Sequence, residues 1–195
     1  MIHTDVTFNN RLIQGDTQAF DDLYRMLYSR LFRFAQSYLR DKALAENTVQ
    51  DAFLLLWERK NTLRPDSNIP AWLLTVVKNN ILNFIDRQKR QMKIEGIYAE
   101  RTIREFNLRM ASLKDCDPEY LFSAEMTEMI EKALASLPEQ CRRVITMSRL
   151  DEMSNKEIAE KLHISVKGVE YHITNALKKL RLALKDYLPV LFFFS

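Results

Sequence analysis

Glycine is scarce in this chain, with three in 195 residues, and proline occurs five times. A domain of many short strands needs turn residues at regular intervals, so this scarcity argues against a sandwich or barrel. No glycine-rich spacing of the phosphate-cradling kind occurs. Cysteine is limited to Cys116 and Cys141. They share neither a metal-ligand nor a redox spacing, so a reduced, cytoplasmic compartment is expected. His3, His163 and His172 are scattered, and no Cys or carboxylate pattern beside them suggests a metal. Asp21 and Asp22 are adjacent on one helix and point in different directions, which is poor geometry for a two-carboxylate site. The N-terminus "MIHTDVTFNNRLIQGD" lacks a basic start followed by an apolar run, so no secretion signal is read there. The C-terminal "YLPVLFFFS" is apolar but too short to span a bilayer as a helix, and is expected to pack on the C-terminal domain. No enzyme, no cofactor and no small-molecule substrate is expected from this inventory.

What remains is helix-forming. The chain is 47% hydrophobic and 28% charged, with a formal net charge of +3, as in an ordinary soluble globular protein. Few breakers and many Leu, Ala, Glu, Lys, Arg and Gln predict an all-α fold of two small helical domains. The first is expected over residues 1–93, a linker over 94–124, and the second over 125–195. In the first, Phe20, Leu23, Tyr24, Leu27, Leu31, Phe34, Ala35 and Tyr38 recur at helical spacing, and Val49, Ala52, Phe53, Leu56 and Trp57 repeat the pattern. "PAWLLTVVKNNILNFIDRQKR" opens at Pro70 and ends in a basic run. "NTLRPDSNI" before it reads as a loop. The linker has mixed charge and weak periodicity.

The C-terminal domain carries the most specific local pattern. "SNKE" is a capping box, in which Ser154 accepts from the Glu157 amide while the Glu157 carboxylate reaches back. The chain is expected to turn at His163 and Ile164, with Ser165 capping the next helix. There Val169, Ile173, Ala176, Leu177 and Leu180 share one face. Lys167, Glu170, Tyr171, Thr174, Asn175 and Lys178 lie opposite. A short helix, a tight turn and a longer helix with a polar outer face is the helix-turn-helix design. From Lys161 to Lys185 there are six basic residues and a single acid, Glu170, so the local balance of +5 exceeds the +3 of the whole chain. Lys167, Glu170, Tyr171 and Thr174 are the candidates for reading base edges, with Ser165 at the helix start beside them. Arg142, Arg143, Lys178 and Lys179 are the candidates for phosphate.

A helix-turn-helix alone would also suit a stand-alone regulator with a sensing or dimerising N-terminal half, or an enzyme with a DNA-binding tail. The first half of the chain discriminates. "LIQGDTQAFDDLYRMLY…AENTVQDAFLLLWE…PAWLLTVVKNNILNFIDRQKR" followed by "LPEQCRRVITMSRLDEMSNKEIAEKLHISVKGVEYHITNALKKLR" resembles the extracytoplasmic-function group of bacterial sigma-70 factors over nearly the whole chain.

The resemblance implies an alternative sigma factor. Its N-terminal domain would be region 2, binding the clamp of core RNA polymerase and melting the −10 element. Its C-terminal domain would be region 4, binding the polymerase flap and reading the −35 element of promoter DNA as duplex. The linker would pass through the polymerase. Glu46, Gln50 and Asp51 would form a polar rim on the clamp-binding helix, with Leu54 as its apolar anchor. The loop from Arg59 to Ile69 matches one that captures a flipped −10 base, and Asn61, Ser67 and Asn68 could hydrogen-bond that base. Lys78, Asn79, Asn80 and Asn83, with a basic patch of Arg87, Lys89, Arg90 and Lys93, would meet the opened strand. Trp72 is expected to pack the domain. An anti-sigma partner, often membrane-bound in this group, is implied too. The sequence departs from the group at Asn83, at Asp86 and at Lys167-Gly168, which leaves the promoter sequence open.

Overall fold

The computed structural model describes residues 4–94, 100–149, 151 and 153–184, with the side chains of 93, 100–103, 105, 106 and 109 left aside. The described residues are helical and include no β-strand. They divide into two compact units, Met1–Ser123 and Ala124–Ser195. The tail "YLPVLFFFS", Lys185 and the Lys93 side chain lie outside what is described.

In the first unit α1 spans Val6–Ile13, α2 Thr17–Tyr38, α3 Lys42–Arg59 and α4 Ile69–Ile94. Aspartates open three of them. Asp5, Asp16 and Asp41 each accept from backbone amides of the first turn, satisfying donors that have no partner within the helix. The Arg11 guanidinium, 2.7 Å from Asp16, and the α2 amides hold that carboxyl below its usual range. Helix α1 ends where Gly15 takes a φ of +84°. The Gly15 amide donates to the Leu12 carbonyl and the Asp16 amide to that of Arg11, a closure that needs a left-handed residue. Leu12, Leu23, Leu27, Leu31, Phe34, Leu56, Leu73, Leu74 and Ile81 are fully buried and form the core. Trp57 stays half-buried, edge-on to Phe20 at 5.1 Å and under the Lys60 ammonium. Trp72 is likewise half-buried.

The segment expected as a linker folds onto this unit. Helices α5, Glu100–Lys114, and α6, Pro118–Leu121, pack against α4, burying Met110, Leu113, Cys116, Leu121 and Phe122. Burial pushes the Cys116 thiol up to about 11, so it stays protonated and packs as a small apolar group.

The second unit contains α7, Ala124–Ala135; α8, Glu139–Arg149; α9, Asn155–Leu162; and α10, Val166–Ala183. Val144, Ile158, Ala159 and Val169 form its core under α9 and α10, with Met147, Met153, Leu162, Ile164 and Ile173 packed around them.

Candidate nucleic-acid interface

The turn between α9 and α10 is built from local hydrogen bonds. Ser154 Oγ accepts from the Glu157 amide at 3.3 Å, and Glu157 Oε2 accepts from the Ser154 amide at 2.7 Å. The capping box read from the sequence is thus formed. At the other end His163 adopts the left-handed region, φ 53°. Its amide donates to Glu160 O, and that of Ile164 donates to Ala159 O, closing α9 with a histidine where glycine is usual. Ser165 Oγ then accepts from the Gly168 amide at 3.0 Å. A Cβ at Gly168 would sit 3.3 Å from that same oxygen. The glycine that costs helix propensity therefore leaves room for the cap.

On α10 Val169, Ala176 and Leu180 are buried, while Ile173 and Leu177 are half-buried. Ser165, Lys167, Glu170, Tyr171, Thr174 and Lys178 are all exposed, and so are Arg142 and Arg143 on α8. Tyr171 is 65% exposed, a large aromatic without cover at the second turn. Thr174 donates its hydroxyl to Glu170 O at 2.8 Å, so only its lone pairs remain for another group. His172, read as scattered from the other histidines, meets Cys141 at 3.4 Å between Nδ1 and Sγ. Among the described residues no three His, Cys, Asp or Glu side chains are grouped to hold a metal.

Helix α4 presents two flanks. Asn79, Asn83, Arg87 and Arg90 follow one another at spacings of four, four and three, so they share a face, and all are exposed. Asn80 is half-buried beside them. Lys78 and Lys89 are eleven residues apart, about three turns, and share the flank toward α5. The Lys78 ammonium donates to Lys114 O at 3.1 Å and to Cys116 O. Lys89 donates to Asn107 Oδ1. Lys78 is thus held by the carbonyls at the end of α5, apart from the polar row in which the sequence reading set it.

The loop before α4 is ordered by its own bonds. Arg64 to Ser67 forms a turn with Pro65 at its second position, closed by Ser67 N to Arg64 O at 3.0 Å and Arg64 N to Ser67 Oγ at 3.1 Å. Asn68 caps α4 through Oδ1 to the Ala71 amide, and its Nδ2 donates to Glu119 Oε2 at 3.2 Å. Asn61 is exposed on the 3-10 turn Lys60–Thr62. The sequence reading missed Asn9. It lies on the apolar side of α1 one turn before Leu12, and a polar residue on a buried stripe was the available signal. Its Nδ2 donates to Pro65 O at 2.8 Å and Ser67 O at 2.9 Å.

Helix α3 buries Ala45, Val49, Ala52, Phe53 and Leu56. Its other side shows Gln50, Asp51 and Leu54 to solvent, with Glu46 half-buried and 3.7 Å from Lys42. Leu54 is 57% exposed. A stack of Tyr24, Tyr28 and Phe32 borders this helix, with ring centroids 4.9 and 6.1 Å apart and Tyr24 against Phe53 at 4.8 Å. Partial burial and the Glu46 charge raise the Tyr28 hydroxyl above its ordinary value.

These surfaces coincide with two matched families. Residues 23–91 match the sigma-70 region 2 family and residues 127–180 the sigma-70 region 4 family. The chain belongs to the sigma-70 family. Among curated proteins it is 28% identical over 177 residues to the ECF RNA polymerase sigma-E factor of Escherichia coli (strain K12), covering 89% of this chain and 90% of that protein. It is 22% identical over 161 residues to the ECF RNA polymerase sigma factor SigM of Bacillus subtilis (strain 168), covering 83% and 92%. A solved structure, CnrH in complex with the cytosolic domain of CnrY, aligns over 94% of this chain and 98% of that one, at 22% identity and a TM-score of 0.38. This sigma-70 protein stands with the extracytoplasmic-function group. It is an alternative sigma factor directing transcription initiation, with core RNA polymerase and promoter DNA as its partners. Among the described residues no helix is long and apolar enough to cross a membrane.

Proposed function

We propose that the first unit holds the polymerase clamp through α3 and melts the −10 element with α4 and the loop before it. The second unit reads the −35 element as duplex through α10 and docks on the polymerase flap. The observation that carries the polymerase reading is Leu54. An exposed leucine with Gln50 and Asp51 one turn before it and Glu46 two turns before it on α3 has the anatomy of an interface anchor, an apolar centre beside hydrogen-bonding groups.

On α10 the roles divide by position. Lys167, Glu170, Tyr171 and Thr174 stand near the helix start, where a recognition helix meets base edges. Ser165 stands at its cap. Arg142, Arg143 and Lys178 neutralise phosphates. On α4 the exposed row of Asn79, Asn83, Arg87 and Arg90, with Asn80, offers an opened strand both charge and base-meeting groups. Asn61 and Asn68 serve the base that leaves the stack. Unstacking costs a few kcal/mol, and capture in the loop offsets it.

The protein acts by binding and not as an enzyme, and it works in the cytoplasm. Binding energy opens the DNA, while the polymerase carries out the phosphodiester chemistry. An anti-sigma factor, membrane-bound in many members of this group, covers these surfaces until a signal arrives.

Leu54→Arg tests the clamp reading. Burying a leucine contributes about 1.5–3 kcal/mol, so holoenzyme affinity should fall at least tenfold. Binding of the free chain to −35 duplex should stay at the parental level. Equal affinity of mutant and parent for core polymerase would remove α3 from the interface.

A further inference from the structure

We infer that Asn9, on α1, is a positioning residue for reading the −10 element: it holds the loop before α4 in the shape that selects the captured base. The inference rests on the reading of that loop as the base-capturing element.

Asn9 is 1% exposed. Both of its amide hydrogens are used, one on Pro65 O and one on Ser67 O. Those carbonyls belong to the residues on either side of Asp66 in the turn, so one side chain fixes the Pro65–Asp66 and Ser67–Asn68 peptide planes. The loop meets α1 again at Gly15, where a Cβ would lie 3.4 Å from Lys60 Cε. Helix α1 is therefore a brace along the loop, with Asn9 as its hydrogen-bonding point.

The other half of the amide is unsatisfied. Asn9 Oδ1 is buried without a hydrogen-bond partner. Of the two residues whose carbonyls Asn9 holds, Pro65 is exposed and Ser67 half-buried. The two bonds that Asn9 donates tie α1 to the loop and act on loop shape. A base pocket depends on shape, because a flipped base is selected by hydrogen bonds to its edge within a close-fitting site.

The test uses holoenzyme assembled from the full chain and core RNA polymerase. The probe is a forked promoter DNA, taken from a mapped transcription start and single-stranded through the −10 element. It carries each of the four bases, or an abasic site, at the captured position. Parent protein should prefer its best base over its worst by roughly tenfold or more. Asn9→Leu and Asn9→Asp both lack the donors and should reduce that preference to about twofold. Affinity for the abasic fork and for −35 duplex should stay at the parental level. An undiminished preference in Asn9→Leu overturns the inference, as does an equal loss on the abasic fork, which would mark a general weakening. Asn61→Ala and Ser67→Ala serve as the control on the loop itself. If they too leave the preference intact, the capture reading fails; if they abolish it while Asn9→Leu does not, only the role of Asn9 fails. Should both Asn9 variants misfold, NMR of the parent chain decides. The Asn9 side-chain amide protons should exchange slowly and shift when the single-stranded −10 oligonucleotide is added, and fast exchange or unmoved signals would contradict the inference.

Discussion

Lys178 and Tyr171 show how differently two exposed side chains on one helix can work. The ammonium of Lys178 attracts any phosphate, so it contributes affinity without sequence information. The ring of Tyr171, 65% exposed, offers apolar area and a hydroxyl that can face one base and not another. Lys178→Ala should therefore weaken −35 binding evenly across sequences and reduce the slope of log K against log salt by about one. Titrations of matched and scrambled duplexes over a salt series would check this, and an unchanged slope would deny Lys178 a phosphate. Asn83 and Asp86 stand where the group often carries Asp and then Arg on the −10 helix. On α4 Asp86 is half-buried, while Arg87 and Arg90 are exposed.

At the scale of elements, the helix-turn-helix was legible because its signals are local. Ser154, Glu157, His163 and Ser165 each act within one turn of the backbone they satisfy, so adjacent letters carry the geometry. Removing the cap should show in stability: Ser154→Ala is expected to cost about 1 kcal/mol, lowering the melting temperature of the full chain's C-terminal transition by a few degrees. Thermal unfolding followed by circular dichroism measures it, and an unshifted transition would mean the box contributes nothing net. Helices α5 and α6 were less legible. The buried residues Met110, Leu113, Cys116, Leu121 and Phe122 are spread over the end of α5, the break at residues 115–117, and α6 with its cap, so no sustained period runs through them, and only packing against α4 makes their burial evident. The bonds of Lys78 were hidden for the same reason. A lysine on a basic helix reads as a DNA contact until the carbonyls of Lys114 and Cys116, more than thirty residues away in sequence, are found at its ammonium. Asn9 and its loop are separated by over fifty residues, beyond what local pattern can reveal.

For the whole molecule, the proposed function gives the two separately packed units two DNA elements, one to be melted and one to be read as duplex. In that proposal each contribution is a binding energy: phosphate neutralisation on α8 and α10, base capture beside α4, an apolar anchor on α3. The most direct test is run-off transcription. Core RNA polymerase from the source organism would be mixed with this protein and sheared genomic DNA, and the transcript starts mapped. The account predicts starts that share two upstream elements and appear only when the protein is present. Starts unchanged by the protein, together with no binding to core polymerase, would contradict it and leave a stand-alone helix-turn-helix regulator as the better reading.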